Sequence, residues 1–189
     1  MALIQTVTVG SRVIDLYTFT GEVADEKKWA TTHVSGGGGG YNVGSGQNNP
    51  VTISSQTTTH DQFFIRDEAG KEMAFEMANT GLALRKGHRV TVLWGIIKGN
   101  DRGPNIAVYN HTTDNLTLIQ SSITSLAIPP TPFSITIAYF VSIFATCLYG
   151  LGLIALIALI VYRSGQKKQL LATFRPAVDA AVAQIRNQR

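Results

Sequence analysis

Side chains that could act as acids, bases or metal ligands are few in this sequence. Asp61 adjoins His60 and Asp114 follows His111 by three residues, but neither pair has the close ligand spacing that metal sites show. The four histidines stand far apart, at His33, His60, His88 and His111. We therefore expect turn or surface histidines, no metal and no cofactor. An enzyme is only the third hypothesis, with His88, His111 and Asp114 as its pocket residues.

A glycine-rich segment at residues 35–50 reads SGGGGGYNVGSGQNNP and contains seven glycines. A phosphate-binding P-loop needs Lys and then Ser or Thr after its last glycine, whereas Gln47 follows Gly46 here. The composition instead predicts a flexible loop between strands, with a ligand-binding loop as the alternative. If the loop contacts another subunit, we expect Tyr41 and Asn42 to be the contact residues.

The strongest pattern is an apolar run at residues 133–162, which contains no charged side chain. As one helix it would be about 45 Å long, against about 30 Å for the hydrocarbon core of a bilayer. The run is also apolar on every face, whereas a core helix needs only one apolar stripe. It predicts a transmembrane segment, preceded by a proline-containing linker at residues 129–132.

Two topologies agree with this segment. A single span is one, and the other is a re-entrant hairpin that bends at Gly150 to Gly152. The chain starts without an export signal, so in both topologies we expect a cytosolic N-terminal domain, at the bacterial inner membrane. Small residues form the predicted helix-packing face, namely Gly150, Gly152, Ala155 and Ala158.

The positive charge of the chain lies at its C-terminal end. The whole chain has a net charge of +4, but residues 1–132 hold ten basic and eleven acidic side chains. A domain that binds phosphate backbones concentrates its positive charge on the folded part. Nucleic acid is therefore not an expected partner.

Residues 1–128 have the pattern of a mainly β domain. Short β-branched and aromatic segments alternate with turns, as at residues 72–77, where apolar residues alternate, and residues 89–94. Residues 67–70 read as a turn with Gly70 at a positive φ. Short strands without a long helix predict a small barrel or sandwich, OB-like or SH3-like.

Residues 163–189 form a basic tail with apolar residues at helical spacing. Ser164 and Gly165 are expected to break the chain before this helix, and Pro176 to kink it or start a new helix. The helix could lie on a lipid surface or pack against a partner protein. The expected contact residues are Leu171, Phe174, Val178, Val182 and Ile185, with Arg163, Lys167 and Lys168.

Together these patterns favour a membrane-anchored, non-enzymatic protein. It would present a small β domain for protein–protein interaction or self-assembly in a membrane complex. The expected partners are the lipid bilayer and either a second copy or another protein of the complex. The alternative is a membrane-tethered β domain that binds a nucleotide, a glycan or nucleic acid.

Overall fold

The computed structural model describes residues 1–39, 41–42, 47–48, 50–149 and 152–187. A mainly β N-terminal region is followed by helices, in agreement with the coarse prediction. The strands are β1 Ala2–Val9, β2 Arg12–Gly37, β3 Tyr41–Asn42, β4 Gln47–Asn48, β5 Thr52–Arg66, β6 Glu72–Ala78, β7 Arg89–Ile97, β8 Asn105–Asn110 and β9 Asn115–Leu118. The helices are α1 Gln120–Ala127, α2 Phe133–Tyr149 and α3 Gly152–Asn187.

Seven strands form one open antiparallel sheet. Its order is β6-β5-β2-β7-β8-β9, and β1 pairs with β2 off this path. The long strand β2 can pair with both β1 and β5, because its first part pairs with β1 and its second part pairs with β5. Since β6 and β9 end the sheet without pairing with each other, the small closed barrel that we predicted is wrong.

The chain divides into two compact units, of which the first comprises residues 1–19 and 91–189. Its core lies between the sheet, α1 and the C-terminal half of α3. Side chains such as Leu16 and Leu93 from the strands are fully buried there with Leu126 of α1. Each such burial contributes about 1.5–3 kcal/mol to the folded state. This core therefore holds the end of α3 to the strands of the same unit.

The second unit comprises residues 20–90. Phe75 and Met77 of β6 are buried, and Phe63 of β5 stacks on Phe75 with 5.8 Å between ring centroids. The predicted alternation at residues 72–77 is thus confirmed. The predicted turn is confirmed too, because Gly70 has a φ of +81°.

A two-stranded ribbon extends from the second unit. Beyond the pair Trp29↔His60, β2 and β5 stay paired from Ala30↔Thr59 to Gly37↔Thr52. Side chains 30–37 and 52–57 are exposed. Strand β2 thus continues to Gly37, three residues into the segment predicted as a loop. This ribbon is stabilised mainly by its own backbone pairing.

No helix in the described part of the chain is long and apolar enough to cross a membrane. The apolar run is divided between α2, which has 17 residues, and the beginning of α3. A 17-residue helix is about 25 Å long, less than the hydrocarbon core, and α3 reaches the charged Arg163 after eleven apolar or small residues. The predictions of a single-pass transmembrane protein and of a place in the bacterial inner membrane are therefore wrong.

Helix α3 is continuous from Gly152 to Asn187. Ser164 and Gly165 lie within it, so the predicted break after residue 162 is wrong. Pro176 also lies inside the helix. Its ring removes one backbone hydrogen bond and costs about 3 kcal/mol in a helix interior. The buried side chains on either side of it, Phe174 and Val178, offset this cost through packing.

Candidate functional site

An exposed apolar surface covers α2 and the start of α3, which pack against each other. Among residues 133–144 of α2, five of the six exposed large apolar side chains recur every three or four residues, so these five lie along one side of the helix; Ile143 is the sixth. The same spacing recurs on α3. We call this set the apolar surface: Phe133, Ile137, Phe140, Val141 and Phe144 on α2, and Leu153, Ile154, Ile157, Ile160 and Val161 on α3.

The size of the apolar surface is unusual. Its side chains are between 46% and 79% exposed. At about 200 Å² per phenylalanine, the three phenylalanines alone expose roughly 400 Å². The largest apolar patch of a typical monomer is about 300–600 Å² in all, and seven aliphatic side chains add to this one. Patches of this size mark interaction surfaces.

The predicted helix-packing face of small residues is only partly described. Gly152 is buried at the start of α3, whereas Ala155 and Ala158 are exposed beside the apolar surface. Gly150 lies outside the described residues. Packing of this face against another helix stays a prediction.

The predicted contact residues of the tail lie in the first unit's own core. Phe174, Val178 and Ile185 are buried, and Leu171 and Val182 pack partly buried against them. Their helical spacing is therefore accounted for by packing against β1, β8 and α1. Sequence reasoning found the apolar face of this helix but not the sheet that covers it.

The three basic residues differ in exposure. Arg163 is half-buried, and Lys167 and Lys168 are exposed. Within the described residues none of the three forms an ion pair. Arg163 and Lys167 lie one helical turn apart and line a cavity together.

Tyr41 and Asn42 form the short strand β3, which pairs with β4. Tyr41 is opposite Asn48 and Asn42 is opposite Gln47. The part of the glycine-rich segment at residues 43–46 lies outside the described residues. The proposed role of Tyr41 and Asn42 as contact residues stays a prediction.

The structure brings His111 and Asp114 together around Tyr109. His111 Nε2 lies 2.8 Å from the hydroxyl of Thr91, and its ring meets Tyr109 edge-on at 4.7 Å. The Tyr109 hydroxyl donates to Asp114, which also lies 3.8 Å from Arg186 Nη2. His88 belongs to the other unit, in the turn before β7.

This polar cluster links β7, the loop between β8 and β9, and α3 through side-chain contacts. Thr91, whose hydroxyl pairs with His111, is 1% exposed. In the described residues, no three His, Cys, Asp or Glu side chains form a group that could hold a metal ion.

The second unit contains a shallow cavity of about 570 Å³. Two of its lining residues are arginines, but Arg66 pairs with Glu72 at 2.9 Å and Arg89 approaches Glu68 at 3.8 Å. Both positive charges are thus already balanced by carboxylates. The cavity gives little support to the alternative of a ligand-binding β domain.

Protein-family models, curated proteins and solved structures were each compared with this chain, and none of them matches it.

Proposed function

We propose that this protein is a non-enzymatic assembly protein that binds a second copy of itself through the apolar surface. The observation that supports this most is the exposure of ten large apolar side chains on two packed helices. Burying apolar area stabilises an interface by about 25 cal/mol per Å². Association would remove from water a patch that a monomer leaves exposed.

The chemistry of the surface restricts the partner. From residue 133 to residue 162 the chain has no charged side chain, and a charge buried against this surface would lose its hydration without gaining an ionic partner. The partner surface must therefore be apolar. A second copy offers such a surface, and a two-fold axis lets the same patch serve both partners.

The charge of residues 1–132 does not oppose association with a second copy. Residues 1–132 hold ten basic and eleven acidic side chains, so two copies side by side experience little net repulsion from this region. The apolar surface includes no residue of the sheet or of the β2–β5 ribbon. We propose that the helices of two copies associate and that each copy presents its β region to other partners.

Sedimentation equilibrium of the full chain tests this proposal. The wild type should show a discrete mass that is a multiple of 20.4 kDa, and Phe140→Asp should shift it to the monomer, because the new carboxylate would be buried. Ile53→Asp is the matched control, since Ile53 and Phe140 are both 70% exposed and Ile53 lies on the ribbon. A monomeric wild type, a continuous distribution of aggregates, or equal effects of the two variants would each overturn the proposal.

A further inference from the structure

A cavity of about 470 Å³ lies between α2 and α3. Helix α3 supplies Arg163 and Lys167, and the segment before α2 supplies Thr131. Thr136 and Tyr139 complete the polar wall from α2. Ser164 of α3 adds a fourth hydroxyl and no acidic residue lines the cavity, so it combines two positive charges with four hydroxyl groups.

The two cations are uncompensated. In the sequence no Asp or Glu lies between Asp114 and Asp179. Within the described residues neither Arg163 nor Lys167 forms an ion pair. Like charges four residues apart on a helix repel each other and destabilise it by about 0.2–0.5 kcal/mol. A bound anion would attract both positive charges and so offset this repulsion.

We propose that this cavity binds a phosphate group. Arg163 provides a planar fork of N–H donors that fits two phosphate oxygens, and Lys167 provides a second, compact charge. The hydroxyls of Thr131, Thr136 and Tyr139 can donate to the remaining oxygens. Hydrogen bonds of this charge-assisted kind are shorter and stronger than neutral ones.

The volume of the cavity and its one apolar lining residue indicate that the phosphate group belongs to an ester. Sites for small molecules have about 300–1,000 Å³, and 470 Å³ leaves room beyond the phosphate for an ester substituent. Ile160 lines the cavity one turn before Ser164, where it can contact an apolar substituent. No residue of a second copy is needed to form the site, and Ile160 is shared with the apolar surface.

Isothermal titration calorimetry of the full chain tests the site, with inorganic phosphate and butyl phosphate as probes in parallel titrations. At about 0.15 M potassium chloride, attraction between exposed charges is largely screened, so only a built site retains binding. We expect saturable binding of one equivalent per chain. Tighter binding of butyl phosphate identifies a phosphate ester as the ligand, and equal binding identifies free phosphate.

Two variants separate the site from general surface charge. The double variant Arg163→Gln with Lys167→Gln should weaken binding at least about tenfold, because it removes both charge-assisted contacts. Lys168→Gln removes the adjacent lysine, which does not line the cavity, and should change the affinity less than about twofold. No saturable binding of either probe, or equal losses in the two variants, would overturn the proposal.

Discussion

Gly10, in the turn between β1 and β2, lies directly against Leu170 of α3. A Cβ atom built on Gly10 would be 2.9 Å from Leu170 Cδ2, and Gly10 has a φ of +60°. This conformation costs other residues roughly 1–2 kcal/mol. A side chain at residue 10 would therefore require Leu170 to move, in addition to adopting the strained φ.

Gly10→Ala should lower the free energy of unfolding by about 1–2 kcal/mol, through the strained φ and the contact with Leu170. Urea denaturation at one fixed protein concentration measures this difference. Gly165→Ala is the control, and we expect it to raise the free energy of unfolding instead of lowering it. Gly165 lies within α3 with nothing within 4 Å of a built Cβ, so alanine should stabilise the helix by about 0.5–1 kcal/mol. Equal effects of the two substitutions would contradict the packing of the turn on α3.

Phe174→Ala should lower the free energy of unfolding by about 3–5 kcal/mol, because it leaves a cavity in a closely packed core. Phe174 is 0% exposed and packs with Val178 and Ile185. Leu3→Ala, at a position that is 55% exposed in β1, should change stability by less than about 0.5 kcal/mol. If Phe174→Ala were as mild as Leu3→Ala, the C-terminal half of α3 would not be part of the core.

Tyr109→Phe should destabilise the chain by about 1 kcal/mol, because it removes the hydrogen bond from the Tyr109 hydroxyl to Asp114. Tyr162→Phe is the matched control. Its hydroxyl accepts from Gln166 Nε2 in an exposed pair, so water replaces that contact at little cost. Chemical denaturation of both variants gives the comparison. A loss no larger for Tyr109→Phe than for Tyr162→Phe would contradict the role of Tyr109 in holding the β8–β9 loop.

Local patterns in the sequence predicted local structure well. Alternating apolar residues located β6, Gly70 marked its turn, and residues 89–94 fell within β7. The spacing of Phe174, Val178 and Ile185 located the apolar face of α3. In each case the structural cause acts over a few residues: the pleat of a strand, the φ of a glycine or the pitch of a helix.

Features that depend on distant residues could not be predicted in the same way. Strand β2 has three partners along its length because β1, β5 and β7 return to it, and no local pattern records such pairings. The apolar run is long enough in the sequence to span a membrane as one helix. In the structure, however, α2 ends at Tyr149 and α3 begins at Gly152. The cavity between α2 and α3 was missed for the same reason, although its basic residues were noted.

The distal ribbon should be dispensable for folding. Replacing residues 30–59 by Asn-Gly would join Trp29 to His60, whose rings stack at 5.1 Å, through a two-residue turn that suits a hairpin. Side chains 30–37 and 52–57 of the removed segment are exposed, so we expect a change in stability of less than about 1 kcal/mol. Thermal unfolding followed by circular dichroism measures it. Loss of the cooperative transition would show that the ribbon is needed for the sheet.

The alkylation rates of single cysteines report which surface is buried when the copies associate. On a Cys147→Ser background, Ile154→Cys lies in the apolar surface and Ile53→Cys on the ribbon, at positions that are each 70% exposed in one chain. We predict that a maleimide reacts several-fold more slowly at position 154 than at position 53 in the assembled protein. After dilution to the monomer, the two rates should become equal. Equal rates in a protein that sediments as an assembly would contradict the account, because the copies would then meet through another surface.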